Sequence, residues 1–212
     1  LGNGRDQYYT VEPVTVATAS TFVQKLFHFF YSYLLYTRTT MVLATMGTRP
    51  GEPPAGGRKH LAFFKWLISR TLGKSEYIRL RVVPLLFQKI FTDRPFKDLF
   101  DRYQPSLVFA THLYGWFDTL LLAEAKKRAI TTLGMSAGWD HLDKYYLPFH
   151  VDRLLAQSNE IVEAAIKYQN YRQEQMTIIG YPYFDYIAGR SYQTPRSKLL
   201  TDLRLPSDAK LI

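Results

Sequence analysis

SLVFA at residues 106–110, THLYGWFD at 111–118, TLLLAEAKKR at 119–128 and AITTLGM at 129–135 follow one another without a break. The first run is too short for a helix, and its unbroken apolar character predicts the continuous burial of a central parallel strand. The third has helical composition and ends in basic residues that suit a helix carboxyl terminus, with Asp118 placed to cap its start. The fourth reads as the next strand. Working outward, residues 151–157 (VDRLLAQ) predict a third strand, 160–171 (EIVEAAIKYQNY) a crossover helix and 175–180 (QMTIIG) a fourth strand. Strand, helix, strand, long loop, strand, helix, strand is the alternation of an α/β domain built on a parallel sheet with helices on both faces.

In open sheets of this kind ligands sit beyond the carboxyl ends of the strands. Four loops therefore matter most: 111–118, 136–141 (SAGWDH), 158–160 (SNE) and the segment GYPYFD at 180–185.

The chain before residue 100 reads less regularly. Residues 11–16 (VEPVTV) alternate and predict a strand with Pro13 at an edge or bend. Residues 22–46 are strongly apolar and aromatic, but Gln24, Lys25, His28 and Arg38 interrupt them before the length a membrane span needs. Two readings of that stretch stay open, a core helix and a helix lying on a membrane surface, the second because of Phe27, Phe29, Phe30, Tyr31, Tyr33 and Tyr36. Residues 47–59 (GTRPGEPPAGGRK) form a Gly- and Pro-rich loop. Helices are expected over 61–72, over 77–91 with a kink or split at Pro84, and over 96–103.

No cysteine is present, so disulfides and thiol chemistry are excluded. The formal net charge of +9 points to an anionic partner such as lipid headgroups or a phosphorylated acceptor. Nucleic acid is disfavoured because no recognisable module appears and Lys and Arg are scattered. No Gly-x-Gly-x-x-Gly, metal-ligand cluster or Ser-His-Asp motif is found.

The segments FDRYQPSLVFAT (100–111), GMSAGWDHL (134–142), DRLLAQSNE (152–160) and GYPYFD (180–185) resemble, in this order, the amino-terminal half of bacterial surface-polysaccharide glycosyltransferases of the two-Rossmann-domain (GT-B) type. In those enzymes a strand leads into a W-D-N-L loop and a later G-x-P-x-F-D turn follows. His141 stands where the family pattern has Asn. The resemblance implies a Rossmann-like acceptor-side domain over residues 1–195, cut at its start, with 196–212 as linker and start of a carboxyl-terminal domain that grips the donor. It further implies transfer of a sugar from a nucleotide sugar to a glycan or lipid-linked acceptor, with no cofactor or metal beyond that donor substrate. The fragment alone would be inactive. A cytoplasmic location, at the inner membrane face with peripheral contact, follows from the same reading. Alternatives are a nucleotide-sugar 2-epimerase or a CDP-glycerol-type polyol-phosphate transferase on the same scaffold, and a non-enzymatic membrane-peripheral module.

Within that frame the candidate base is His112, oriented by Asp118, with Asp118 or Asp140 next in line; equally, His112 bonds to backbone and Asp118 only caps a helix. Trp139 offers a flat face to a sugar ring or anchors its loop, with His141 beside it. Tyr114 and Trp116 complete the aromatic set. Ser158, Asn159 and Glu160 stand at a helix amino terminus that suits an anion, or Ser158 or Asn159 serves as an ordinary cap. Asp185 reaches the cleft or shapes a tight turn.

Overall fold

The computed structural model describes residues 11–45, 61–138, 142–189 and 194–209. Their helices are α1 (Phe22–Ser32), α2 (Arg38–Thr45), α3 (Ala62–Arg70), α4 (Val83–Ile90), α5 (Lys97–Tyr103), α6 (Trp116–Lys127), α7 (Asn159–Gln169), α8 (Pro182–Ala188) and α9 (Arg196–Asp202). Four strands, β1 (Leu107–Ala110), β2 (Thr131–Met135), β3 (Arg153–Ala156) and β4 (Met176–Ile178), pair in parallel in chain order. The sheet is flanked by helices, a Rossmann-like α/β arrangement: α6 packs on β1 and β2, α7 on β3 and β4. Trp139, Asp140 and His141 lie outside the described residues, as does the loop at 47–59.

The expected continuous burial of the first strand is corrected. Val108 and Ala110 are buried while Leu107 and Phe109 are exposed, because β1 is an edge of the described sheet and alternate side chains leave it on opposite faces. Register carries the alternation across: Ala110 lies opposite Gly134, and Gly134 opposite Leu154, all buried. A Cβ on Gly134 would lie 2.7 Å from Leu113 Cδ2 and 2.8 Å from Val151 Cγ1. The glycine therefore lets Leu113, at φ 61°, fold back onto the sheet directly after β1. Asp152 locks β3 to β2, since its carboxylate accepts from the Thr132 backbone N–H and hydroxyl, both at 2.8 Å, and from Lys126 at 2.5 Å.

Several local expectations change. Residues 11–20 form no regular element and join no sheet. Pro13 supplies no amide donor, and Glu12 is held sideways by Arg102 at 3.0 Å and Tyr103 at 2.5 Å. The apolar stretch from residue 22 is two helices instead of one. A capping box starts α1, the Thr21 hydroxyl accepting from the Gln24 N–H and the Gln24 side chain accepting from the Thr21 N–H. Thr37, Thr39 and Thr40 then donate to Asp143 and Lys144 at 2.6–2.7 Å, which turns the chain into α2. At Pro84 the break takes the form of a π-helical turn, Ile78–Val82, that precedes α4. There the Val83 N–H bonds to the Ile78 carbonyl, and the wider turn accommodates the missing proline donor.

The core is aromatic at its centre. Phe87 is 1% exposed and contacts Tyr31, Phe91 and Phe149 at ring separations of 6.0, 4.3 and 5.1 Å, joining α1, α4 and the loop before β3. Gly73 marks a second close approach, since a Cβ there would lie 2.1 Å from the Leu34 carbonyl oxygen.

The chain divides into two compact units, Leu1–Ile178 and Ile179–Ile212. In the second, the segment expected to make a tight turn instead begins a helix. Gly180 has φ 76°, and Pro182 takes the first turn of α8, a position where its missing N–H costs nothing. Within residues 196–212, Arg196–Asp202 are helical, and the Leu205 N–H returns to the Leu200 carbonyl at 2.8 Å.

Candidate functional site

Beyond the carboxyl end of β1 the chain passes through Leu113, Tyr114 and Gly115 into α6. Gly115, extended at φ −85° and ψ 164°, is the residue before the helix, so α6 starts three residues earlier than expected and Asp118 lies within its buried first turn instead of capping it. The early start is held by packing of Trp116, whose ring lies 5.2 Å from Phe91 and 5.0 Å from His28.

Tyr114 and Trp116 form one wall of a cleft of about 1,210 Å³. Facing them are Phe27, His28, Phe30 and Tyr33 of α1 and its end, Phe64 and Ile68 of α3, and Tyr145. Tyr145 is placed from two sides. Buried Gln169 donates to the Leu142 and Tyr145 carbonyls at 2.8 and 2.9 Å and accepts from the Leu147 N–H at 3.1 Å. The three threonines bind the residues just before it. Tyr145 stacks on Tyr114 at 5.6 Å and meets Tyr33 edge-on at 5.7 Å. Behind Tyr33, the buried Lys65 sets its Nζ 4.5 Å from the ring centroid, a cation–π geometry.

The electrostatics follow from crowding. Burial pushes the Tyr114 phenol up, and the neighbouring Tyr145 and Tyr33 push in the same direction. Tyr31 is pushed up by burial and by Tyr114. These phenols are neutral donors across the working pH range. Water reaches His28, yet the ring sits on a concave aromatic wall between Tyr31 at 5.2 Å and Trp116, and loss of hydration lowers its pKa from the usual imidazole value. The downward shift favours the neutral ring of His28. No carboxylate occurs among the described lining residues. Nor, among the described residues, do three or more His, Asp or Glu side chains gather where they could hold a metal ion.

Of the residues singled out in the sequence, the cleft brings together Tyr114 and Trp116. His112, Asp118, Ser158 and Glu160 are absent from its described lining, although the first two belong to the same loop and helix. Asp185 is exposed in the first turn of α8, in the second unit. Ser158 occupies the position before α7 and makes no side-chain cap to the helix backbone. Its hydroxyl instead serves Glu160, whose carboxyl is held below its ordinary value by that bond and by its own backbone N–H. Ser136 and Gln157 tie the loops after β2 and β3, the Ser136 hydroxyl donating to Gln157 Oε1 at 3.1 Å and Gln157 Nε2 donating back to the Ser136 carbonyl.

His28 was the residue that reading by strand order missed, because α1 lies outside the alternating region. Its signal was present nonetheless, a single imidazole inside the aromatic run FHFFY (27–31).

Fold and cleft together define an α/β protein with an aromatic cleft beyond one strand end of a parallel sheet. Compared with known proteins, the chain matches no protein family, no curated protein and no solved structure.

Proposed function

We propose that this chain is the acceptor-side part of a nucleotide-sugar glycosyltransferase that builds a surface polysaccharide or its lipid-linked precursor. One observation carries the reading: a cleft at the carboxyl end of β1 combines flat aromatic faces, neutral phenols and a single imidazole, with no carboxylate among its described lining. Aromatic faces suit the apolar side of a sugar ring, and the phenols of Tyr33, Tyr114 and Tyr145 suit its hydroxyls. The order of the four family-like segments supports the same class.

In this reading His28 is the base. An acceptor hydroxyl gives its proton to the imidazole while its oxygen bonds to the anomeric carbon. The bond from that carbon to the diphosphate oxygen breaks, and the diphosphate leaves with the electron pair, stabilised by donors of the nucleotide-binding partner domain. His28 replaces His112 in this role because His28 lines the cleft.

The test is release of nucleoside diphosphate from a panel of nucleotide sugars, using the protein at the length its gene encodes and lipid extracts as acceptors. His28→Ala is expected to lower kcat by roughly 10²- to 10⁴-fold. Because the folded pKa of His28 is lowered, the base stays neutral into mild acid. The acid limb of kcat/KM is therefore expected below the ordinary imidazole value of about 6.5, and to vanish in the variant. A full loss in His112→Ala with His28→Ala unaffected would return the base to His112, and no turnover of any donor would remove the reading.

A further inference from the structure

Residues 13–75 contain eight basic residues and one acidic residue, a net +7 of the chain's +9. In the described part of that segment, large apolar side chains stand in water. Phe22, Val23 and Leu26 on α1 and Phe63, Phe64 and Trp66 on α3 are all exposed, Phe22 at 79% and Phe63 at 63%. Phe22, Val23, Leu26 and Phe64 all line the rim of the cleft, which makes the two helices one continuous surface. On α3 the exposed Phe63 and Trp66 rings are stacked at 6.1 Å. Lys25 and Arg70 are exposed on α1 and α3, and Lys74 is exposed in the short turn after α3.

Exposed apolar side chains gathered beside one cleft mark a contact site. Its composition selects the partner. Outward aromatics at the depth of short helices, basic residues beside them and no acid on α1 or α3 are the features of an element that lies in the headgroup layer of an anionic bilayer. With 11 and 9 residues, the two helices are far too short to span, and no described helix is long and apolar enough to cross a membrane. A second copy of the same face would set like charges against each other.

We propose that α1 and α3 dock the protein on an anionic lipid surface. Phe22, Leu26, Phe63 and Trp66 enter the boundary of the acyl chains, Lys25, Arg70 and Lys74 meet lipid phosphates, and the cleft opens along the bilayer. The docking holds independently of the reaction assigned to the cleft.

Co-sedimentation with vesicles of phosphatidylcholine mixed with phosphatidylglycerol, against phosphatidylcholine alone, tests it. The protein is expected to pellet with the anionic vesicles and to be released by salt. Lys25→Gln/Arg70→Gln/Lys74→Gln is expected to weaken binding roughly a hundredfold, at about one lipid-phosphate attraction per charge. Phe22→Ser/Phe63→Ser/Trp66→Ser is expected to abolish it. All six positions are exposed, and an unchanged circular dichroism spectrum checks that the fold survives. Absence of binding to anionic vesicles, or a triple-serine variant that binds like the parent, would overturn the proposal. So would a dimer in sedimentation velocity that the serine variant dissociates while vesicle binding is absent, because the patch would then be an interface between copies.

Discussion

Residues 13–75 and residues 76–178 are built on opposite principles. The first segment has eight basic residues to one acidic; the second has thirteen to twelve, and several of its charges pair with one another. Glu124 is the clearest case, 3% exposed and gripped by Arg94 at 2.6 and 2.8 Å and by Arg128 at 2.5 Å, with Arg128 extending to Asp101 at 2.7 Å. Asp152 does the same for Thr132 and Lys126. Among the described residues of the first segment, Phe22, Phe63, Phe64 and Trp66 stand exposed. Charge that has partners inside the chain builds a scaffold; apolar surface left in water is available to something outside it.

The two segments meet at Phe87, and removing that ring is the strongest way to break the contrast. Phe87→Ala is expected to cost about 3–5 kcal/mol in chemical denaturation, because a fully buried ring shared by α1, α4 and the loop before β3 is deleted and its cavity stays. An effect below 1 kcal/mol, on the order of a surface substitution, would mean that α1 is not seated as described.

Gly73→Ala sharpens the comparison from within the first segment. The added methyl meets backbone, the Leu34 carbonyl, and not a side chain that can swing away. A loss of about 1–3 kcal/mol is expected, measured as a lowered melting temperature.

On the scaffold side, Glu124→Gln is expected to cost about 1–3 kcal/mol, less than deletion of the core ring because Arg94 and Arg128 can still reach water. Burial alone pushes the Glu124 carboxyl up, but the hydrogen bonds from Arg94 and Arg128 outweigh it and the net shift is downward. A carboxyl lowered on folding stabilises the protein above its unfolded pKa, about 4.3, and that contribution is lost as pH falls through the folded value. Unfolding free energy measured from neutral pH to well below that unfolded value should therefore fall less steeply in the variant than in the parent. Parallel slopes would show that the pair contributes nothing to acid stability.

Much of the fold was legible. The four strands and two crossover helices between residues 106 and 178 stand where the alternation of apolar runs and helical spacing puts them, since each run is bounded by polar or glycine-containing loops and each helix by its own periodicity. Less of the site was legible. Tyr114 and Trp116 lie in a loop that the strand-end rule singles out, and the cleft uses both. His28, Tyr33 and Tyr145 are scattered over more than a hundred residues, and no local spacing connects them. They meet because Thr37, Thr39, Thr40 and Gln169 bind residues 142–147 to α2 and α7, and the Tyr146 N–H binds the Ser32 carbonyl of α1, a set of long-range hydrogen bonds with no sequence period. Local patterns went wrong where a neighbour outbid them: residues 11–16 alternate like a strand but find no edge, and Gly180 to Asp185 begin a helix because Pro182 suits its first turn.

Composition and order of elements settle the class of fold, because hydrophobic periodicity acts over a few residues and is written in them. Tertiary structure alone decides which faces of α1 and α3 are left in water and which imidazole meets the cleft. Those outcomes depend on what the rest of the chain brings against each side chain, and burial is a property of the assembled neighbours.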